Sequence, residues 1–314
     1  MLKVAFVFPG QGSQSVGMGR EFYENYPEAR AVFEKADQAL GFSISEMCFA
    51  GPEAELNKTI NTQPAVLTVS VACLEVMKKA GGLAASAVAG HSLGEYSALV
   101  AAGSLSFEDA VRLVRKRGQY MQEAVPLGEG GMAAVMGLSG EEVQEVCRKA
   151  SNAGIVEAVN LNCPGQVVVA GDNNGLKAAG LLAKEAGAKR FIPLTVSAPF
   201  HSSMMKPAGE RLAADLDKTS VTDPDVPVVA NVTADFVRTG EDVRALLVRQ
   251  VYSPVRWEES VRRLVSAGVT TVVEIGPGKV LSGLVKKISR DLQVCNIEDP
   301  ASLEKALALV GEVG

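Results

Sequence analysis

Short apolar, β-branched runs recur along the chain at Val4 to Phe8, Ser86 to Ala89, Val226 to Val232 and Thr270 to Ile275, separated by stretches with apolar residues at helical spacing. This alternation predicts an α/β domain with a mostly parallel sheet. Between Met132 and Thr195 the pattern changes. It predicts a strand over Met132 to Met136, a helix over Glu141 to Ala150, strands over Ile155 to Leu161 and Gln166 to Ala170, a helix over Gly175 to Ala186, and a strand over Arg190 to Thr195. β-α-β-β-α-β is the order of a ferredoxin-like unit. The expected organisation is therefore a large α/β domain made of residues 1–124 and 199–314, with a small α+β insertion at 125–198. Gly128-Glu129-Gly130-Gly131 and Ser197-Ala198-Pro199 are the expected connectors.

Composition narrows the class. Of 314 residues, 47% are hydrophobic and 21% charged, enough apolar surface for a core and too much for a disordered chain. With 31 basic and 36 acidic side chains the net charge is -5, which supplies no global field for nucleic acid. No uninterrupted apolar run approaches the roughly 18 residues of a membrane span, and the short run after Met1-Leu2-Lys3 makes a poor signal peptide. Five scattered cysteines, with no C-x-x-C spacing, favour neither a disulfide framework nor a zinc site. The expected setting is the reducing cytoplasm.

Gly90-His91-Ser92-Leu93-Gly94 matches G-x-S-x-G between an apolar run and a helix-like segment, the strand, turn and helix setting of a nucleophile elbow. Ser92 is the expected nucleophile. A serine needs a base near neutral pH, and the chain has only two histidines, His91 and His201. His91 adjoins Ser92 on extended chain, where successive side chains point apart, so it is expected to brace the elbow. His201 follows Ser197-Ala198-Pro199-Phe200 at the junction of the two expected domains, where clefts form, and is the expected base. Pro9-Gly10-Gln11-Gly12 follows the first strand, where a backbone N–H can join that of Leu93 in an oxyanion hole. A dinucleotide fingerprint fails there, because Ser15 stands where the third glycine belongs. Gly276-Pro277-Gly278-Lys279 lacks phosphate-loop spacing and reads as a strand-to-helix joint.

Ser106, with Asp109 three residues on, predicts a capped helix reaching about Val125. Arg117 lies roughly 50° from the centre of that helix's apolar stripe, whereas Arg112 and Lys116 fall on the far side. An inward guanidinium needs a partner. Periodicity leaves two open: a substrate carboxylate or an internal Asp or Glu.

Taken together, these residues resemble the malonyl-CoA:acyl-carrier-protein transacylases of fatty-acid synthesis, over nearly the whole chain. The resemblance rests on Phe8-Pro9-Gly10-Gln11-Gly12-Ser13-Gln14, Gln63-Pro64-Ala65, Gly90-His91-Ser92-Leu93-Gly94-Glu95, Arg117-Gly118 with Met121-Gln122, and Asn160 with Asn162. It continues through Ser197-Ala198-Pro199-Phe200-His201-Ser202, Ser253-Pro254-Val255-Arg256-Trp257 and Glu274-Ile275-Gly276-Pro277. It implies a hydrolase-like large domain with a ferredoxin-like insertion, and a Ser92–His201 pair in place of a full triad. It also implies that the Gln250 main-chain carbonyl holds the imidazole, that the N–H groups of Gln11 and Leu93 form the oxyanion hole, and that Arg117 grips the malonyl carboxylate. Phe200 before the histidine is expected to crowd a branched acyl group, by analogy with related polyketide acyltransferases. Asn160 and Asn162 share one side of a strand and are expected at the cleft or in a turn. Gln63 is expected to line the pocket or to cap a helix starting at Pro64. The implied reaction moves malonyl from malonyl-CoA to the phosphopantetheine thiol of acyl carrier protein through an acyl-serine. Coenzyme A thioester is then a substrate, and no cofactor or metal is expected. A serine hydrolase or thioesterase uses the same parts and differs in admitting water. A carboxylate triad through Asp172 is the lesser alternative.

Overall fold

A computed structural model describes residues 3–81, 83–196 and 198–311. The elements run β1 (Val4–Phe8), α1 (Arg20–Asn25), α2 (Pro27–Leu40), α3 (Ile44–Ala50), α4 (Glu53–Leu56), α5 (Thr59–Lys79), β2 (Ala87–Gly90), α6 (Gly94–Ala101) and α7 (Phe107–Glu123). Next come β3 (Gly130–Met136), α8 (Gly140–Ala150), β4 (Val156–Cys163), β5 (Gln166–Asp172), α9 (Asn173–Glu185) and β6 (Arg190–Pro193). The chain finishes with α10 (Lys206–Leu216), β7 (Val228–Val229), β8 (Phe236–Val237), α11 (Gly240–Gln250), α12 (Trp257–Ser266), β9 (Thr271–Ile275), α13 (Val280–Ile288), β10 (Gln293–Ile297) and α14 (Pro300–Gly311).

Six strands form one sheet in the order β10-β9-β1-β2-β7-β8, parallel except where β8 turns back on β7. Both faces are covered, so its central strands read as continuous apolar runs. In β1, Val4, Phe6 and Phe8 pack into one apolar layer while Ala5 and Val7 pack into the layer on the opposite face. The other four strands make an antiparallel sheet, β4-β5-β3-β6, backed by α8 and α9 through Val143, Val146, Ala179 and Ala183. The fold is thus a mixed α/β body with a ferredoxin-like subdomain.

Several expectations change. β7 keeps only two of the seven residues expected as strand, because Ala230 bonds to Asp235 and Ala234 bonds back to Ala230, turning the chain out of the sheet before Asn231. β8 and β10 are too short or too polar to announce themselves. Gly130 and Gly131, expected as connector, already pair with Asp172 and Gly171 in β3. Ser197 of the second connector lies outside the described residues. α5 is long and apolar enough to cross a membrane by length and composition, at a mean hydropathy of 1.3, but 89% of that window is buried inside this fold. It is the core helix against which α2 and α7 pack.

Candidate active site

The tight turn after β2 sets the site. Ser92 has φ of +52°, and the glycines on either side leave no room for a side chain. A Cβ on Gly90 would sit 1.9 Å from the Gly94 carbonyl, and one on Gly94 would sit 2.0 Å from the Phe8 carbonyl oxygen. The chain therefore reverses sharply into α6, lifting Ser92 out of the strand. Its Oγ lies 2.7 Å from His201 Nε2. His201 is itself left-handed, at φ +65°, and its Nδ1–H donates to the Gln250 carbonyl at 2.8 Å. That carbonyl can only accept, so it keeps the proton on Nδ1 and leaves Nε2 as an acceptor facing the serine. Burial first, and then the nearby Arg117 guanidinium, push the His201 imidazole down to about 3, so it stands neutral with Nε2 unprotonated.

Arg117 reaches the same point from α7. Gly118 permits the approach: a Cβ there would come within 2.7 Å of the Thr59 carbonyl oxygen of α5. Arg117 is 1% exposed. Nη1 donates to Gln63 Oε1 at 2.8 Å, and Nη2 donates to Gln250 Oε1 at 2.9 Å and to Ser92 Oγ at 3.1 Å. Its face lies over the Tyr96 ring at 5.6 Å. Burial holds its pKa below the usual guanidinium range, opposed by Tyr96 and Glu95. Among the described residues no carboxylate comes within ion-pair distance of it, and Nε has no partner. Of the two partners open from periodicity, the direct internal ion pair is absent.

A cavity of about 110 Å³ opens over these groups, lined in part by Gln11, Gln63, Leu93, Met121, Asn160 and Phe200 together with Ser92, Arg117 and His201. Neither the Gln11 nor the Leu93 main-chain N–H donates a hydrogen bond to a described residue, so both remain free to meet an oxyanion. Gln63 is not a helix cap. α5 begins four residues earlier, at Thr59, which places Pro64 inside the helix. The Ile60 carbonyl that a residue-64 N–H would have taken accepts from Arg115 Nη1 at 3.3 Å. Asn160 and Asn162 separate: Asn160 lines the cavity with a buried, unpartnered Oδ1, whereas Asn162 Oδ1 meets His91 Nε2 at 2.8 Å. His91 also lies 5.7 Å from the Trp257 ring, a brace under the elbow as expected. Asp172 caps α9, accepting from Gly175 N–H at 2.7 Å and Ile155 N–H at 2.6 Å; it makes no hydrogen bond to His201.

The acyl transferase domain family matches residues 5–307. The malonyl CoA-acyl carrier protein transacylase of Bacillus subtilis (strain 168) is 53% identical over 313 residues, covering 99% of this chain and 98% of that protein. This chain belongs to that family. The acyl-carrier-protein S-malonyltransferase structure from Burkholderia pseudomallei 1710b superposes with a TM-score of 0.96 at 51% identity, over 98% of this chain and all of that one. A malonyl-transacylase in complex with its type II PKS acyl-carrier protein superposes with a TM-score of 0.95 at 46% identity, over 98% of this chain and 99% of that one.

Within this transacylase fold three contributors escaped the sequence reading. Asn231 Oδ1 accepts the Ser92 N–H at 2.7 Å while its Nδ2 donates to the Gly90 carbonyl at 2.6 Å, so one amide spans the elbow. The Gln250 side chain, where only the main-chain carbonyl was expected to act, donates to the Ser92 carbonyl at 2.9 Å and to Glu95 Oε2 at 2.8 Å and accepts from Arg117. Glu95 is 3% exposed, and burial pushes its carboxyl up to about 7 against the Gln250 and Asn231 donors and Arg117. Only Glu95 left a trace in sequence, as the one charged residue of α6.

Proposed function

We propose that this protein transfers malonyl from malonyl-CoA to the phosphopantetheine thiol of an acyl carrier protein, in two half-reactions through Ser92. Carrying the reading is one juxtaposition: a serine bonded to a neutral imidazole, with a buried guanidinium lacking a carboxylate partner beside the same oxygen. Arg117 supplies the fork for the malonyl carboxylate. Ser92 Oγ attacks the thioester carbonyl carbon and its proton passes to His201 Nε2. The carbonyl oxygen takes the negative charge toward the Gln11 and Leu93 N–H groups. When the C–S bond breaks, His201 returns the proton to the departing sulfur and malonyl remains as a serine ester. The carrier thiol then attacks that ester, giving its proton to Nε2, and Ser92 Oγ recovers a proton as its bond to the acyl carbon breaks.

The Gln250 carbonyl supports a pair in place of a triad, since it holds the imidazole tautomer that a carboxylate holds elsewhere. The chemistry uses side chains and main-chain N–H groups alone, with coenzyme A thioester as substrate and no cofactor. In the same reading residues 1–124 and 199–314 form the large domain and 125–198 the insertion. Intact mass spectrometry after mixing with malonyl-CoA, acetyl-CoA and methylmalonyl-CoA tests the first half. One malonyl adduct, absent in Ser92→Ala, is expected. Addition of carrier protein should convert that adduct into malonyl carrier protein. Accumulation of free malonate in its place would make the protein a hydrolase.

A further inference from the structure

Glu95 is buried behind the site and does not line the cavity over Ser92. Its Oε2 accepts two N–H groups: the main-chain N–H of Asn231 at 3.0 Å and Nε2 of Gln250 at 2.8 Å. Each of those residues also grips Ser92 through its side chain. Asn231 takes the Ser92 N–H at 2.7 Å, and Gln250 donates to the Ser92 carbonyl at 2.9 Å. One carboxylate oxygen therefore joins two clamps on a residue held at φ +52°. Such a conformation costs free energy in a non-glycine residue and persists only where surrounding contacts over-determine it.

The same contact orients an amide. Oε2 accepts, so Gln250 must turn its NH₂ toward Glu95, which leaves Oε1 for Arg117 Nη2 at 2.9 Å. A reversed amide would press NH₂ against the guanidinium, donor against donor. We propose that Glu95 is a positioning residue that fixes the Gln250 amide, and through it the Arg117 fork and the strained Ser92, so that selection of malonyl depends on an acceptor atom at position 95. The inference rests on the transfer reading above.

Two replacements separate the acceptor from mere filling of space. Glu95→Gln keeps shape and an acceptor oxygen, because the Asn231 N–H selects the oxygen over the NH₂. Glu95→Met keeps similar length and removes the acceptor, leaving two buried donors unmet. Time courses of Ser92 acylation from malonyl-CoA and acetyl-CoA are followed by intact mass spectrometry for wild type, both variants, Gln250→Met and the Glu95→Met, Gln250→Met double variant. The malonyl-to-acetyl ratio should fall by about tenfold or more in Glu95→Met, through a raised malonyl-CoA KM, and stay within about threefold of wild type in Glu95→Gln. The double variant should be no worse than Gln250→Met alone, since Glu95 acts through Gln250. An unchanged ratio in Glu95→Met overturns the assignment. So does a Glu95→Gln variant as impaired as Glu95→Met, which would make the charge decisive, or a double variant whose losses multiply. Should Glu95→Met fail to fold by circular dichroism, the ratio is read on Glu95→Leu, which also lacks the acceptor: a lowered ratio there supports the relay and a retained one overturns it. A wild-type protein that takes no acyl group overturns the transfer reading itself, whereas an acylating wild type matched by its variants overturns the Glu95 role alone.

Discussion

Arg117 Nη2 stands 3.1 Å from Ser92 Oγ, so the buried cation and the hydroxyl bonded to the neutral imidazole address the same substrate carbon chain from adjacent positions. Removing the guanidinium takes away the partner for a carboxylate and leaves the Ser92–His201 pair in place. Arg117→Ala is expected to slow malonyl acylation by at least about 100-fold, the usual scale for truncating one member of a buried charge pair. Acetyl acylation should survive or improve. Rapid-quench acylation with each thioester checks this, and equal losses would mean that the bonds to Gln63 and Gln250 serve the fold alone.

His201 and His91 are the only histidines, and burial lowers both. The His201 ring proton shifts should stay flat from about pH 8 to about pH 5.5, through the range where a free imidazole titrates. The folded His201 sits at about 3 against an ordinary 6.5, so the unfolded chain binds the proton first as pH falls. Its contribution to stability is therefore present above pH 6.5 and is lost as the pH falls toward 3. A ring titrating near 6.5 in the folded protein would refute the buried, neutral base.

Gln250 and Asp172 separate a carbonyl-held histidine from a carboxylate triad. Asp172→Asn should keep near wild-type turnover and cost at most about 2 kcal/mol of stability as a weakened cap. Gln250→Ala keeps the carbonyl but deletes the amide that holds Arg117 and Ser92, so malonyl turnover should fall by tenfold or more (about 1.4 kcal/mol) while His201 keeps its tautomer. Gln250→Pro disturbs the main chain itself and should be nearly inactive. A thousandfold loss in folded Asp172→Asn would restore the triad.

Phe200 is 7% exposed and lines the cavity beside His201. Phe200→Ser opens volume where a branch at C2 of the acyl chain would project, so the methylmalonyl-to-malonyl acylation ratio should rise. Competition between the two thioesters, read by mass, decides it. An unchanged ratio would assign the limit to another wall.

Lys189, Arg190, Lys286 and Lys287 are exposed, and Lys287 bonds to Gln166, which lines a groove shared with Gln11, His91 and Asn160. Charge reversal at these four positions should slow transfer to an acidic carrier protein, more at low salt, and spare acylation by malonyl-CoA. Equal slowing of both halves would place the effect inside the site.

By itself the sequence determined the features that local geometry dictates. Apolar runs marked the central strands of both sheets, a period of 3.6 residues turned Arg117 inward, and glycine at Gly90 and Gly94 announced the elbow because no other residue fits that reversal. The scarcity of histidine narrowed the base to one of two. Tertiary structure alone decided which polar atoms meet. Asn231 reaches Ser92 across 139 positions because β7 lies beside β2 and then leaves the sheet, and Gln250 reaches Glu95 across 155 because α11 ends against the start of α6. Such contacts carry no period and no spacing: each is a short-range bond between buried groups whose distance apart depends on how every intervening element packs.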